Sequence, residues 1–325
     1  MKAFWLTLFC LLMTGCAGRA PILPHNSHLP ERVELADTPF FPQREYQCGP
    51  AALATLLTHR GIAIDPEALR QSVYLPGREG SLQVELVAAA RAEGLLAYPL
   101  EPTVDALFEE LASGNPVLVL QDLGLGIWPQ WHFAVVIGYD LDRQVLLLRS
   151  GTTERLEMGF RHFLATWEPG ERWAVVVVSP DQLPATAVER KWLLAASDLE
   201  QVGQTSSANR AYRVATERWP GTMTSFAHGN SEYLVGNDGR AAASFIASLR
   251  ADQDFHPAWF NLANVLAEVG CRSASEKALH CARTLAPQES RYQDALKHDV
   301  PESGREPICD VSLPACPVVR TPTDP

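Results

Sequence analysis

After its first fourteen residues, the 325-residue chain has no apolar run long enough to cross a bilayer as a helix; such a crossing takes about 20 consecutive apolar residues. Basic residues are scarce: 27 Lys and Arg stand against 38 Asp and Glu, a formal charge of −11. No broad basic face is available to neutralise phosphates, which excludes a nucleic-acid binder. There is no GxxxxGK loop to cradle a nucleotide, and the cysteines never form the two close pairs that grip zinc. No cofactor or metal site is therefore expected. What remains is a composition with 46% hydrophobic and 20% charged residues, that of an ordinary globular protein long enough for two domains.

The N-terminus reads as a targeting segment. Lys2 precedes the uncharged run Ala3 to Thr14, which is too short to span a membrane. Thr14-Gly15-Cys16 closes it in the manner of a bacterial lipobox, so residues 1–16 are expected to be a lipoprotein signal with Cys16 lipidated. An ordinary signal peptide with an incidental cysteine is the alternative. Ala17 rather than Asp follows the cysteine, which by analogy with Gram-negative sorting points to the periplasmic face of the outer membrane. Residues 17–36, with Pro21, Pro24 and Pro30, read as a tether. Cys271, Cys281, Cys309 and Cys316 lie near the C-terminus, where an exporting compartment would let them form two bridges between tail and last helices. Their connectivity is not legible.

Residues 37–180 mix helical and strand patterns. Helices are expected at 49–59, after Asp65-Pro66, at 81–94 and at 103–114, and strands at 117–121, 132–139, 145–148 and 173–178, with a short helix near 159–167. That arrangement is α+β. Residues 188–290 change character. Gly203, Gly236 and Gly270 recur at 33 and 34 residues, and Ala208, Ala241 and Ala274 at 33, followed four residues later by Tyr212, Phe245 and Ala278. This period resembles the tetratricopeptide repeat, an all-α module that docks protein partners; a generic helical bundle is the alternative. Residues 291–325 read as a flexible tail.

The chemistry concentrates in Gln43-Arg44-Glu45-Tyr46-Gln47-Cys48-Gly49-Pro50-Ala51-Ala52. A cysteine at the mouth of a helix meets unpaired N–H groups and the positive end of the helix dipole, which favour a thiolate. Its thiol pKa is therefore expected to be depressed. A glutamine upstream has an amide to offer an oxyanion, beside the cysteine's own N–H. The partner base should be a histidine in the same domain. His59 ends the nucleophile's own helix and His162 lies on a short amphipathic one, whereas His132 opens the apolar strand Trp131-His132-Phe133-Ala134-Val135-Val136. An imidazole beside the thiol takes its proton and later returns it as an acid.

These residues together resemble the bacteriocin-processing peptidases, papain-like domains that cut leader peptides after double glycine. The resemblance spans residues 37–180 and implies Cys48 as nucleophile, His132 as general base and Gln43 as oxyanion donor. Two departures stand out. Gln43 lies five residues before the cysteine, one fewer than is usual, and Ser150-Gly151 stands where the family has Asp-Pro. Ser150 is expected in the third catalytic place, with Asp140 or Asp142 as substitutes only if the hairpin folds back. The reading is a thiol peptidase acting on a polypeptide substrate. A non-catalytic peptide-binding scaffold and a thiol amidase or acyltransferase are the alternatives.

Overall fold

A computed structural model describes residues 28–43, 47–124, 128–293, 309 and 312–317. Cys16 and the signal lie outside the described residues.

Seven strands form one sheet in the order β2-β7-β3-β4-β5-β6, with β1 on β4. They are β1 (Arg32–Glu34), β2 (Leu96–Pro99), β3 (Val117–Asp122), β4 (Trp131–Asp140), β5 (Val145–Ser150), β6 (Thr153–Gly159) and β7 (Ala174–Val178). Every pairing is antiparallel. The central strands are apolar on both sides, because helices cover both faces. On one face α1 (Cys48–His59), α2 (Pro66–Val73) and α3 (Gln83–Ala92) pack Leu53, Leu57, Val73 and Leu86 against Leu118, Phe133, Val135 and Val175. On the other, α4 (Val104–Ala112) and α5 (Phe160–Trp167) pack Leu107, Phe108 and Phe163 against Val119, Val136, Leu148 and Val176. Local signals start these helices as expected: Asp65 caps α2 ahead of Pro66, and Thr103 caps α4 by accepting from the Ala106 N–H.

Three strands escaped the sequence reading, and one of them moves a boundary. β1 lies inside the span read as a tether, and its residues pair with Gly138, Tyr139 and Asp140 of β4. The folded domain therefore begins before residue 37.

Six further helices follow as three antiparallel pairs: α6 (Glu189–Gln201) with α7 (Thr205–Arg218), α8 (Thr222–Leu234) with α9 (Asp238–Ala251), and α10 (His256–Glu268) with α11 (Arg272–Leu285). The recurring glycines sit between the partners of each pair with φ of +82°, +77° and +81°, the left-handed position that ends a helix. The small-residue repeat differs from expectation in its third copy. The positions that continue the buried pairs Ala208–Tyr212 and Ala241–Phe245 at the glycine interval are Ser275 and Leu279; Ala274 is only half-buried, while Ala278 is buried as well. The last interval is 34 residues, matching Gly236 to Gly270.

The repeats do not form a separate body. Trp192, Ala196, Leu199, Ala211 and Tyr212 of α6 and α7 belong to the same core as Leu96, Val176 and Val178 of the sheet. The connecting segment is fixed as well: the buried Glu110 carboxylate accepts from the N–H of Thr186 at 2.8 Å and from the Thr186 hydroxyl at 2.6 Å. Arg91 of α3 and Asp198 of α6 form an ion pair. Among the described residues, α9 to α11 enclose a core of their own. The tail is not loose throughout: Tyr292 is buried, disulfides join Cys271 to Cys309 and Cys281 to Cys316, and Leu313 packs on the last repeat.

Candidate active site

One end of the sheet carries the candidate residues. The end of β3, the start of β4, the turn after β5 and the N-terminus of α1 meet around a cleft of ≈ 1080 Å³ lined by Gln43, Cys48, Ser81, Trp131, His132 and Gly151, among others. Cys48 is the first residue of α1, and the absent side chain of Gly49 is what lets the 76–82 loop close over it. A Cβ at Gly49 would stand 2.6 Å from the Ser81 Cβ and closer still to its hydroxyl.

The Cys48 thiol lies against the backbone N–H groups of Phe133 and Gly49, which ease its ionisation. Burial outweighs them and pushes the thiol pKa up. This corrects the expected depression. The helix mouth and the neighbouring N–H groups are present, but among the described residues no cation contributes to the thiol's shift. His132 is half-buried, and its desolvation lowers its pKa, which disfavours an imidazolium counter-charge.

His132 is oriented from behind. Its Nε2 lies 2.9 Å from the Ser150 hydroxyl, leaving Nδ1 as the other ring nitrogen. β4 and β5 run antiparallel through the hairpin at 140–145, which returns Ser150 to the strand end that holds His132. Asp140 cannot substitute. It sits at the opposite end of β4, about 26 Å away along a strand rising about 3.3 Å per residue, and its carboxylate accepts from the Arg143 N–H at 2.9 Å. Asp142 belongs to the same distant turn.

Gln43 has two roles available. Its backbone N–H donates to the Gly151 carbonyl at 2.9 Å and its Oε1 accepts from the Gly151 N–H at 3.1 Å. That grip leaves Nε2 only a long contact, 3.5 Å, to the Phe133 carbonyl at the cleft. Arg149, which sequence reasoning passed over, completes the support. Its guanidinium donates to the carbonyls of Ala36 at 2.9 Å, Thr38 at 2.8 Å and Glu154 at 2.6 Å. It thereby fastens the segment leading to Gln43 onto the strand carrying Ser150. The available signal was a charged residue inside the apolar strand Val145-Leu146-Leu147-Leu148-Arg149. Among the described residues, no group of three His, Cys, Asp or Glu side chains converges to hold a metal ion.

Residues 35–174 match the family model described as the Peptidase_C39 like family. The N-terminal domain has the C39-like peptidase fold. Solved structures align with part of the chain. A chain described as a C39-like peptidase from Bacillus anthracis is 18% identical, with 46% of this chain and 98% of that chain covered and a TM-score of 0.38. The peptidase domain of Streptococcus ComA, a bi-functional ABC transporter involved in a quorum-sensing pathway, is 22% identical, with 43% and 98% covered and a TM-score of 0.37. No curated protein matches the chain. Beyond the C39-like domain the chain continues into the helical repeats.

Proposed function

We propose that the chain is a thiol peptidase of the bacterial cell envelope, with Cys48 as nucleophile, His132 as base, Ser150 as the orienting group and Gln43 beside the oxyanion. The observation that carries this reading is the convergence of Cys48 and His132 on one cleft, with Ser150 hydrogen-bonded to the far nitrogen of the ring. In the reaction, His132 takes the thiol proton as sulfur attacks the scissile carbonyl. The Cys48 N–H and the Gln43 amide face the developing oxyanion. The imidazolium then gives its proton to the leaving amine, and water, deprotonated by the same ring, hydrolyses the thioester and regenerates the thiol.

The test is turnover of peptide substrates by the full chain. Cys48→Ala should abolish it, and His132→Ala should lower kcat/KM by about two to four orders of magnitude, the span of general acid–base catalysis. Activity that survives Cys48→Ala would overturn the assignment. A second reading, a peptide-binding scaffold without turnover, is favoured by Ser150 in place of a carboxylate. It predicts peptide binding that is equal in wild type and Cys48→Ala, with no cleavage by either.

The envelope setting is part of the proposal. Cys16 is the lipidated residue, and the two bridged cysteine pairs suit an oxidising compartment. Cys16→Ala should release the chain from the membrane fraction; unchanged fractionation and mass would remove the anchor. The repeats dock a protein partner or the substrate. Exposed Leu194 on α6 and exposed Met223, Tyr233 and Leu234 on α8 supply the apolar surface for it.

A further inference from the structure

We infer that Trp131, with Leu123 and Trp128, forms an apolar subsite for a large side chain on the leaving-group side of the scissile bond; this deepens the peptidase reading and rests on it. Single exposed apolar residues need no explanation, whereas a cluster beside a cleft does. Leu123 is 40% exposed, Trp128 76% and Trp131 49%, and all three sit in or beside the β3–β4 connection. Leu123 and Trp131 line the cleft that holds Cys48 and His132, with Pro129 between them.

The ends of this connection are held in place. The Asp122 carboxylate accepts from the N–H groups of Gly124 at 2.8 Å and Gln130 at 2.7 Å, and the Leu123 N–H donates to the Gln130 carbonyl at 2.9 Å. A second turn backs the Trp131 indole. At Gly170 a Cβ would stand 2.9 Å from the Leu120 carbonyl and 3.6 Å from the indole edge, so the ring rests on bare backbone.

That backing turn is conformationally unusual. Glu171 and Arg172 are consecutive non-glycine residues with φ of +54° and +53°. Such conformations persist where the surroundings enforce them, and they gather at functional sites. Here the enforcement is visible: the Glu171 N–H donates to the Glu168 carbonyl at 3.0 Å, that of Arg172 to Trp167 at 3.1 Å and that of Trp173 to Gly170 at 3.0 Å. Both residues line the cleft. The turn thus props the indole at the cleft surface.

The position of the wall decides which part of a substrate it meets. His132 delivers its proton to the leaving nitrogen, and Trp131 is the residue immediately before it. Successive residues of a strand face opposite ways, but at this end of β4 both line the one cleft, and the apolar wall on the Trp131 side meets the residue that follows the scissile bond. The occupant is a polypeptide with an aromatic or large aliphatic residue there.

Two measurements on the full chain test this. Phenylalaninamide and serinamide mimic the leaving group; titrated into Cys48→Ala and followed by tryptophan fluorescence, the first should bind at least ten-fold more tightly. Adding Trp131→Ala should remove that preference and Trp131→Phe should restore most of it. Trp128→Ser, at the most exposed position, should weaken it without depending on the packing around Trp131. Equal binding of the two amides to Cys48→Ala overturns the subsite. Digestion of a mixed peptide library by wild type, with cut sites read by mass spectrometry, should place large apolar residues after the cut roughly ten-fold above chance, the scale of discrimination a hydrophobic pocket gives. Cutting without that enrichment also overturns the subsite. Should the amides rank as expected while wild type cuts nothing, the subsite stands and the peptidase reading falls.

Discussion

Ser150 hydrogen-bonds the His132 ring, and in the proposed site it stands where a carboxylate would orient and charge the imidazole. A hydroxyl 2.9 Å from Nε2 fixes the ring but contributes no charge. Burial outweighs the backbone N–H groups at the thiol and raises its pKa, and acts alone on the imidazole, lowering its pKa. Alkylation of Cys48 should therefore accelerate with pH towards a midpoint above the free-thiol value of about 8.5; a midpoint at or below that value contradicts the balance described here. Ser150→Asp should reverse the sign. A carboxylate behind the ring raises the imidazole pKa, and the imidazolium then lowers that of the thiol, so the alkylation midpoint falls and turnover rises. The gain should stay well below the roughly four orders of magnitude that such a group supplies in serine peptidases, because a thiol ionises more readily than a hydroxyl. Unchanged midpoint and rate in both Ser150→Asp and Ser150→Ala would exclude Ser150 from the mechanism. The sequence pointed to Cys48 and His132 by residue type and setting alone. It misjudged the thiol because burial, unlike position on a helix, is settled by distant parts of the chain closing over it.

The elements that were legible carry their own local signals. α2 opens on Asp-Pro, α4 on a threonine cap, and the central strands are continuous apolar runs. Those that were not legible lack such signals. β6 reads Thr-Glu-Arg-Leu-Glu-Met-Gly and is an exposed edge, held partly by Arg143 and Arg155 on Glu157, so almost nothing apolar alternates along it. β1 is three residues of an edge whose pairing partner is a hundred positions away. The register of the third repeat slipped because Ala274 and Ala278 make an attractive pair in sequence, whereas Ala274 is only half-buried and Ser275 and Leu279 are buried beside Ala278. Residues 188–290, despite their change of pattern, are not separable from the sheet. A chain ending at residue 185 would strip α6 and α7 from Leu96, Val176 and Val178 and remove the Thr186 partner of Glu110. Losing the burial of Trp192 and Leu199 alone costs about 1.5–3 kcal/mol each, against a total stability of about 5–15 kcal/mol. Such a chain should lose its cooperative thermal transition and its Cys48 reactivity, whereas one ending near residue 221 should keep both. A sharp melt from the 185 chain would show that the sheet holds without them.

Across the whole molecule, the end of the sheet that carries Cys48 and His132 and the helical pairs belong to one framework through the sheet, α6 and α7, while α9 to α11 form a core of their own sealed by the tail. The order of the bridged cysteines along the chain has a consequence for that seal. Cys271 joins Cys309 and Cys281 joins Cys316, so the two links interleave rather than nest. Any single backbone scission between 281 and 309 falls inside both closed rings. The distal fragment then remains tethered twice, and parting it from the body requires both sulfur links to be opened. In a compartment with proteases at work, a nick in that stretch would leave the terminal repeat wearing its cap, with the damage invisible by mass under non-reducing conditions apart from one added water.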